Sequence, residues 1–154
     1  MKIRPVILCG GAGTRLWPDK KKHQAKQFID FGGWSLIQKT LDRINKPIFD
    51  CPLISTILLY LKLFKLALKK SKIKKFKIVL EPAKKNTAPA ILASALIKDI
   101  PLEQPLMFFA ADHLIERSNI LNKSLLINKS NLNNQNLFIF GIKPTNPARE
   151  YGYL

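Results

Sequence analysis

Short apolar runs recur along this chain, each stopped by glycine, proline or an acid and separated by stretches with helical spacing. That alternation restricts the fold more than any other feature. Val6-Ile7-Leu8 runs into Gly10-Gly11 and reads as a buried parallel strand. Leu53 to Leu58 reads as a second strand. Lys77 to Leu80, closed by Glu81-Pro82, is a third, and Leu106 to Ala110, ending at Asp112, a fourth. Leu137 to Phe140, ending at Gly141, is a fifth. Between the first two, Ser35-Leu36-Ile37-Gln38 is a capping box that opens a helix with Leu36, Ile37, Thr40, Leu41 and Ile44 on one face. Tyr60 to Lys70 reads as a lysine-studded helix and Ser118 to Ser130 as another. Asn86 or Thr87 can cap a helix through Ile97, with Pro89 tolerated in its first turn. Strand, helix, strand at this spacing predicts an α/β fold of Rossmann-like type, a mostly parallel sheet with helices on both faces. In such sheets ligands bind beyond the carboxyl ends of the strands. Gly10-Gly11, Glu81, Asp112 and Gly141 all fall just past an expected strand, so one shared site is predicted.

The chain's 154 residues suit one domain, and 47% hydrophobic against 23% charged residues fits a folded protein. The formal charge of +16 invites a nucleic-acid reading. Most of it is lysine, concentrated in Lys20-Lys21-Lys22 and from Lys69 to Lys77. Those runs read better as solvated faces, because the arginine and aromatic interleaving of RNA contact is absent. Cys9 and Cys51 have no CxxC spacing, and Cys9, ending an apolar run, reads as a buried small hydrophobe. Two cysteines so placed suit a reducing compartment. The run Pro5 to Cys9 is too short for a signal peptide. Pro52 to Leu68 is broken by Lys62 and Lys65 and falls short of a membrane span. A cytoplasmic protein without a membrane partner is expected.

The strongest chemical signal is Gly10-Gly11-Ala12-Gly13-Thr14-Arg15-Leu16-Trp17-Pro18, followed by Lys26-Gln27. Glycines after a strand let backbone N–H groups approach phosphate oxygens with no side chain in the way. Arg15 adds a fork of donors and Lys26 a point charge. Leu16 stands where a dinucleotide fingerprint needs its third glycine, and no Gly-Lys-Ser/Thr follows as in a Walker A loop. Asp112 at a strand end can hold a hard cation, although an aspartate there also suits a helix cap. His113 reads as a packed or hydrogen-bonded histidine, and His23, among lysines, as surface.

These residues resemble the sugar-phosphate nucleotidyltransferases, and within them the mannose-1-phosphate guanylyltransferases. The family's opening pattern GGxGTRLWP, then seven residues, then KQF, matches Gly10 to Pro18 and Lys26-Gln27-Phe28. Four later blocks follow in the family's order: Glu81-Pro82 with Asn86 to Ala90, Ala111-Asp112-His113, Phe140-Gly141-Ile142 with Pro144-Thr145, and Tyr151-Gly152-Tyr153. The resemblance implies attack by a sugar 1-phosphate, here mannose-1-phosphate, on the α-phosphorus of GTP, with pyrophosphate released. By that analogy Gly10, Gly11, Ala12, Gly13, Thr14 and Arg15 hold the triphosphate. Lys26 neutralises charge in the transition state and Asp112 holds Mg²⁺. Glu81 is the expected reader of the base on the ground of its strand-end position, with Pro82, Asn86, Thr87 and Ala88 beside it, and by the analogy Gly152 with Tyr151 takes the hexose.

The match has gaps. Ala25 stands where the family has proline before the lysine, which removes a φ restraint from the loop that places Lys26. Lys21 replaces a common arginine and Ala110 a common proline, Glu150 stands where a small residue is usual, and Ser55 to Lys75 matches poorly. Family members continue well past Tyr153, so the chain is expected to stop before the family fold is complete. Three readings stand at this point. One is a guanylyltransferase domain active only when its missing half is supplied, by a complementing C-terminal half or with a second copy alongside. Another is a related enzyme with a different hexose or base. The last is a basic, non-catalytic binding module, which explains the charge but not the order of the motifs.

Overall fold

The computed structural model describes residues 2–11, 25–133, 136–147 and 152. Four strands form one parallel sheet: β1 (Arg4–Leu8), β2 (Leu53–Ile57), β3 (Lys77–Glu81) and β4 (Leu106–Ala110), in the order β3-β2-β1-β4. The register pairs Leu8 with both Ser55 and Ala110, and Ile57 with Glu81, so the carboxyl ends of all four strands lie at one end of the sheet. Four helices connect or follow them: α1 (Leu36–Ile44), α2 (Leu58–Lys69), α3 (Thr87–Ala95) and α4 (Ser118–Ile127). This is the Rossmann-like α/β arrangement expected from the spacing.

Side chains alternate between the faces of a strand. Ile7, Ile54 and Phe109 point to one face and join Ile37, Leu41, Phe64, Leu68 and Leu125, so α1, α2 and α4 cover that side. Val6, Leu53 and Phe108 point to the other, where Ile97 and Ile100 close a much smaller cluster next to α3. α1 forms as its capping box requires: Gln38 N–H donates to Ser35 Oγ, and Ser35 N–H donates to Gln38 Oε1 at 3.0 Å. α2 begins at Leu58 without a break after β2, because the chain leaves Ile57 in an extended conformation and Leu58 to Leu68 then repeats with helical period. Tyr60, Phe64, Ala67 and Leu68 form its buried stripe.

One expectation fails. Leu137 to Phe140 does not form a strand; residues 136–147 carry no regular structure, and Leu137 is 90% exposed. A run with strand composition becomes a strand only where a sheet edge accepts its backbone and other elements cover its side chains. Here it pairs with none of the four strands, so Gly141 does not lie at a strand end. The helix from Ser118 is also shorter than its pattern suggests. It ends at Ile127 and gives way to a 3-10 turn over Lys129–Asn131.

Candidate active site at the carboxyl end of the sheet

β1 delivers its chain end to Gly10-Gly11 at the middle of the sheet. The Ser55 hydroxyl, on neighbouring β2, donates to Glu81 Oε1 at 2.7 Å. That bond draws the Glu81 carboxylate across the strand ends until it lies against Gly10. A Cβ at Gly10 would stand 3.1 Å from Oε1 and 3.4 Å from Oε2. The fit at Gly10 is tight: a Cβ there would make the Glu81 carboxylate give by a few tenths of an ångström.

The turn after Gly10 is held from the other side. Gln27, buried in the 3-10 turn Lys26–Phe28, donates from Nε2 to the Gly11 carbonyl at 3.1 Å and reaches Cys9 Sγ at 3.7 Å. Lys26, half-buried, is thereby tethered through its neighbour to the glycine turn. The missing proline before it leaves little trace. Ala25 is buried and adopts φ −60°, within the range a proline ring imposes.

Cys9 is fully buried under this turn, as its apolar setting suggests. Its amide donates to the Ser55 carbonyl at 2.7 Å, and the Thr56 hydroxyl donates to the Cys9 carbonyl at 3.2 Å. Burial pushes the Cys9 thiol up to about 12; the hydrogen bonds of Gln27 and Thr56 offset part of that rise, and Asp112 and Glu81 add smaller upward contributions. A thiol so placed stays protonated and is no nucleophile. Two carboxylates, Asp112 and Glu81, lie near enough to Cys9 at the end of β1 to act on the thiol.

Asp112 is half-buried in the turn after β4, and no described residue donates to or pairs with its carboxylate. His113 beside it is exposed; its carbonyl accepts from Arg43 Nη2 at 3.0 Å, and its amide donates to the Ala110 carbonyl at 3.5 Å. Asn86 precedes α3 with φ 66° and ψ −167°, a conformation disfavoured for any residue with a Cβ, and its side chain makes no capping bond. The N–H groups at the start of α3, from Thr87 and Ala88, thus have no side-chain cap. Pro82 to Ala88 are exposed beside Glu81.

The structure accordingly brings Gly10, Gly11, Lys26, Glu81 and Asp112, with the approach to α3, to one end of the sheet. Gly152 is exposed, with nothing within 4 Å of where a Cβ would stand, so it is not packed against this group. Ala12, Gly13, Thr14, Arg15, Lys21, His23, Glu150 and Tyr151 lie outside the described residues. Three contributors escaped the sequence: Ser55 and Thr56, whose signal was two small polar residues in the otherwise apolar run LISTI, and Gln27, whose signal was its place beside Lys26.

The lysines collect elsewhere. A cleft of about 470 Å³ at the opposite, amino-terminal end of the strands is lined by Lys2, Lys46, Lys72, Lys74 and Lys75. The run from Lys69 to Lys77 thus lies away from the glycine turn and the carboxylates, while Lys20-Lys21-Lys22 lies outside the described residues. Among the described residues no helix is long and apolar enough to cross a membrane.

A mannose-1-phosphate guanylyltransferase of Escherichia coli is 37% identical over 97% of this chain. The alginate biosynthesis protein AlgA of Pseudomonas fluorescens is 31% identical over a similar share. The chain spans about a third of the length of these curated relatives, 33% and 32%. Among solved structures, one titled as mannose-6-phosphate isomerase from Helicobacter pylori superposes with a TM-score of 0.63 and 28% identity, covering 84% of this chain and 47% of that one. The family model described as nucleotidyl transferase matches residues 4–154, and the chain belongs to that family.

Proposed function

We propose that this chain is the nucleotide-binding part of a mannose-1-phosphate guanylyltransferase, taking GTP at the carboxyl end of the sheet. The observation that carries the reading is the Ser55–Glu81–Gly10 contact, which plants a carboxylate beside a bare glycine turn. A carboxylate accepts from both N1–H and the 2-amino group of guanine, a pair of donors that adenine lacks. The open N–H groups of Thr87 and Ala88 flank the same position. Names of relatives point the same way, since the matched curated proteins include several mannose-1-phosphate guanylyltransferases.

In the proposed reaction a phosphate oxygen of mannose-1-phosphate attacks the α-phosphorus of GTP. The bond from that phosphorus to the bridging oxygen breaks, and pyrophosphate leaves with the electron pair. The glycine turn brings backbone to the triphosphate with no side chain between. Arg15 and Lys26 supply positive charge to the phosphates, and Gly152 with Tyr151 contributes to the hexose side. Mg²⁺ typically keeps several waters and binds through one or two carboxylates plus substrate phosphates. Asp112, whose carboxylate is free among the described residues, suits that requirement without a cage of protein ligands. When bound, the ion neutralises phosphate charge.

Calorimetry on the 154-residue chain tests the reading, with GTP and ATP, with and without Mg²⁺. The expected result is Mg²⁺-dependent binding that favours GTP and is lost in Asp112→Ala. Glu81→Gln, which swaps one acceptor oxygen for a donor, is expected to cut the GTP-over-ATP preference tenfold or more. An unchanged preference in Glu81→Gln would remove Glu81 as the base reader. A folded chain with no affinity for GTP would remove the assignment itself.

A further inference from the structure

Among the described residues two arginines are buried, Arg4 and Arg43, and of these only Arg4 is satisfied. Arg4 donates from Nε to Gln104 Oε1, from Nη1 to the Cys51 carbonyl and from Nη2 to Asp50 Oδ2, each at 2.8 Å. Arg43 is 4% exposed on the covered face of α1, among Ile37, Thr40, Leu41 and Ile44. Its Nη2 reaches the His113 carbonyl at 3.0 Å, while its Nε and Nη1 have no hydrogen-bond partner. Burial pulls its pKa down, the sign of a cation held where water is scarce.

A buried guanidinium with two open donors is a poor device for stability. Each unmet polar group buried away from water is a cost to stability, and an apolar side chain of similar length avoids that cost. The helix position would suit a leucine or methionine. What the arginine does accomplish is a single charge-assisted bond across 70 residues to the carbonyl next to Asp112.

That turn has few other ties. The Ala111 amide donates to the Leu8 carbonyl at 3.2 Å, and the His113 amide to the Ala110 carbonyl at a long 3.5 Å. Residues 113–117 are exposed. Among the described residues Arg43 provides the one side-chain bond to this turn.

We infer that Arg43 is a positioning residue for this site: by gripping the His113 carbonyl from α1 it fixes the turn that presents Asp112. The functional consequence rests on the proposed role of Asp112 in binding Mg²⁺ with the nucleotide. The structural hold does not.

Amide hydrogen exchange on the full chain, followed by NMR, reads the hold directly in wild type, Arg43→Lys, Arg43→Gln and Arg43→Met. Exchange at Asp112 and His113, relative to Ile7 in the sheet, is expected to rise at least tenfold in Arg43→Met. Arg43→Lys, which keeps a long charged donor, should restore most of the protection. The half-saturating Mg²⁺ for GTP binding should rise by a similar factor in Arg43→Met, with Mg²⁺-free nucleotide affinity within twofold of wild type. A merely structural role would raise exchange at Ile7 in step with the turn and leave the Mg²⁺ dependence alone; either result overturns the inference. If Arg43→Met does not fold, Arg43→Gln, with a short neutral donor, carries the same comparison. Absence of Mg²⁺-dependent GTP binding in wild type would strike the proposed function instead, and the exchange data alone would then decide whether Arg43 holds the turn.

Discussion

The two faces of the sheet are built to different standards. On the face of α1 and α2, α1 buries six of its nine residues, and Phe64, Ile37, Leu41, Ile7 and Ile54 are fully enclosed. On the other, α3 buries only Ala90 and Ser94, leaving Leu92 and Leu96 59% and 71% exposed. The strands differ by place in the sheet: every residue of β2, inside it, is buried, and none of β3, at its edge, is. Ser55 shares a face with Leu53 and Glu81 with Val79, so the carboxylate beside Gly10 belongs to the thinly covered face. Rigidity comes from one side of the sheet, and the candidate nucleotide site opens on the other, where less has to be displaced for a ligand to enter.

The sharpest way to break this comparison is to remove packing from each side. Phe64→Ala, in the closed core, is expected to cost about 3–5 kcal/mol in denaturant unfolding. Leu92→Ala, on the outer side of α3, should stay within about 0.5 kcal/mol of wild type. Equal costs would mean that the two faces are not distinct.

Cys9 gives a second measure, in pH. Its folded value of about 12 lies above its ordinary 9.0, so the folded state keeps a proton that the unfolded chain loses. The contribution is neutral below pH 9 and turns against folding between pH 9 and 12. At pH 10.5 Cys9→Ala should therefore recover about 2 kcal/mol, relative to the same pair of proteins at pH 7. Parallel stability curves for the two proteins would show that the thiol is not sealed beneath the glycine turn.

Helix starts give the smallest effect, with opposite signs on the two faces. Ser35→Ala breaks the capping box of α1 and should cost about 1 kcal/mol. Asn86 makes no cap bond and holds φ 66°, so Asn86→Gly should gain about 1 kcal/mol by relieving the backbone, after glycine's own entropy is counted. Thermal melts of the pair suffice. A loss in Asn86→Gly would show that the asparagine contributes something other than strain.

Much of this architecture was legible in advance because it is local. Ser35 and Gln38 cap a helix wherever the chain places them, and an apolar run stopped by two glycines makes a strand end. The ordered blocks from Gly10 to Tyr153 carried the resemblance to the family. Leu137 to Phe140 misled for the complementary reason. Its composition suits a strand, but pairing is a property of an available edge, which no local pattern records.

By itself, then, the sequence determined the α/β alternation, the strand ends at which Gly10, Glu81 and Asp112 sit, the burial of Cys9 and the family. Tertiary structure alone decided that Ser55 would anchor Glu81 across 26 residues, that Gln27 would pin Gly11 across 16, and that Arg43 would reach His113 across 70. Periodicity specifies which face of an element is apolar. The partner that a polar side chain meets there depends on register and crossover, which exist only once the sheet has formed.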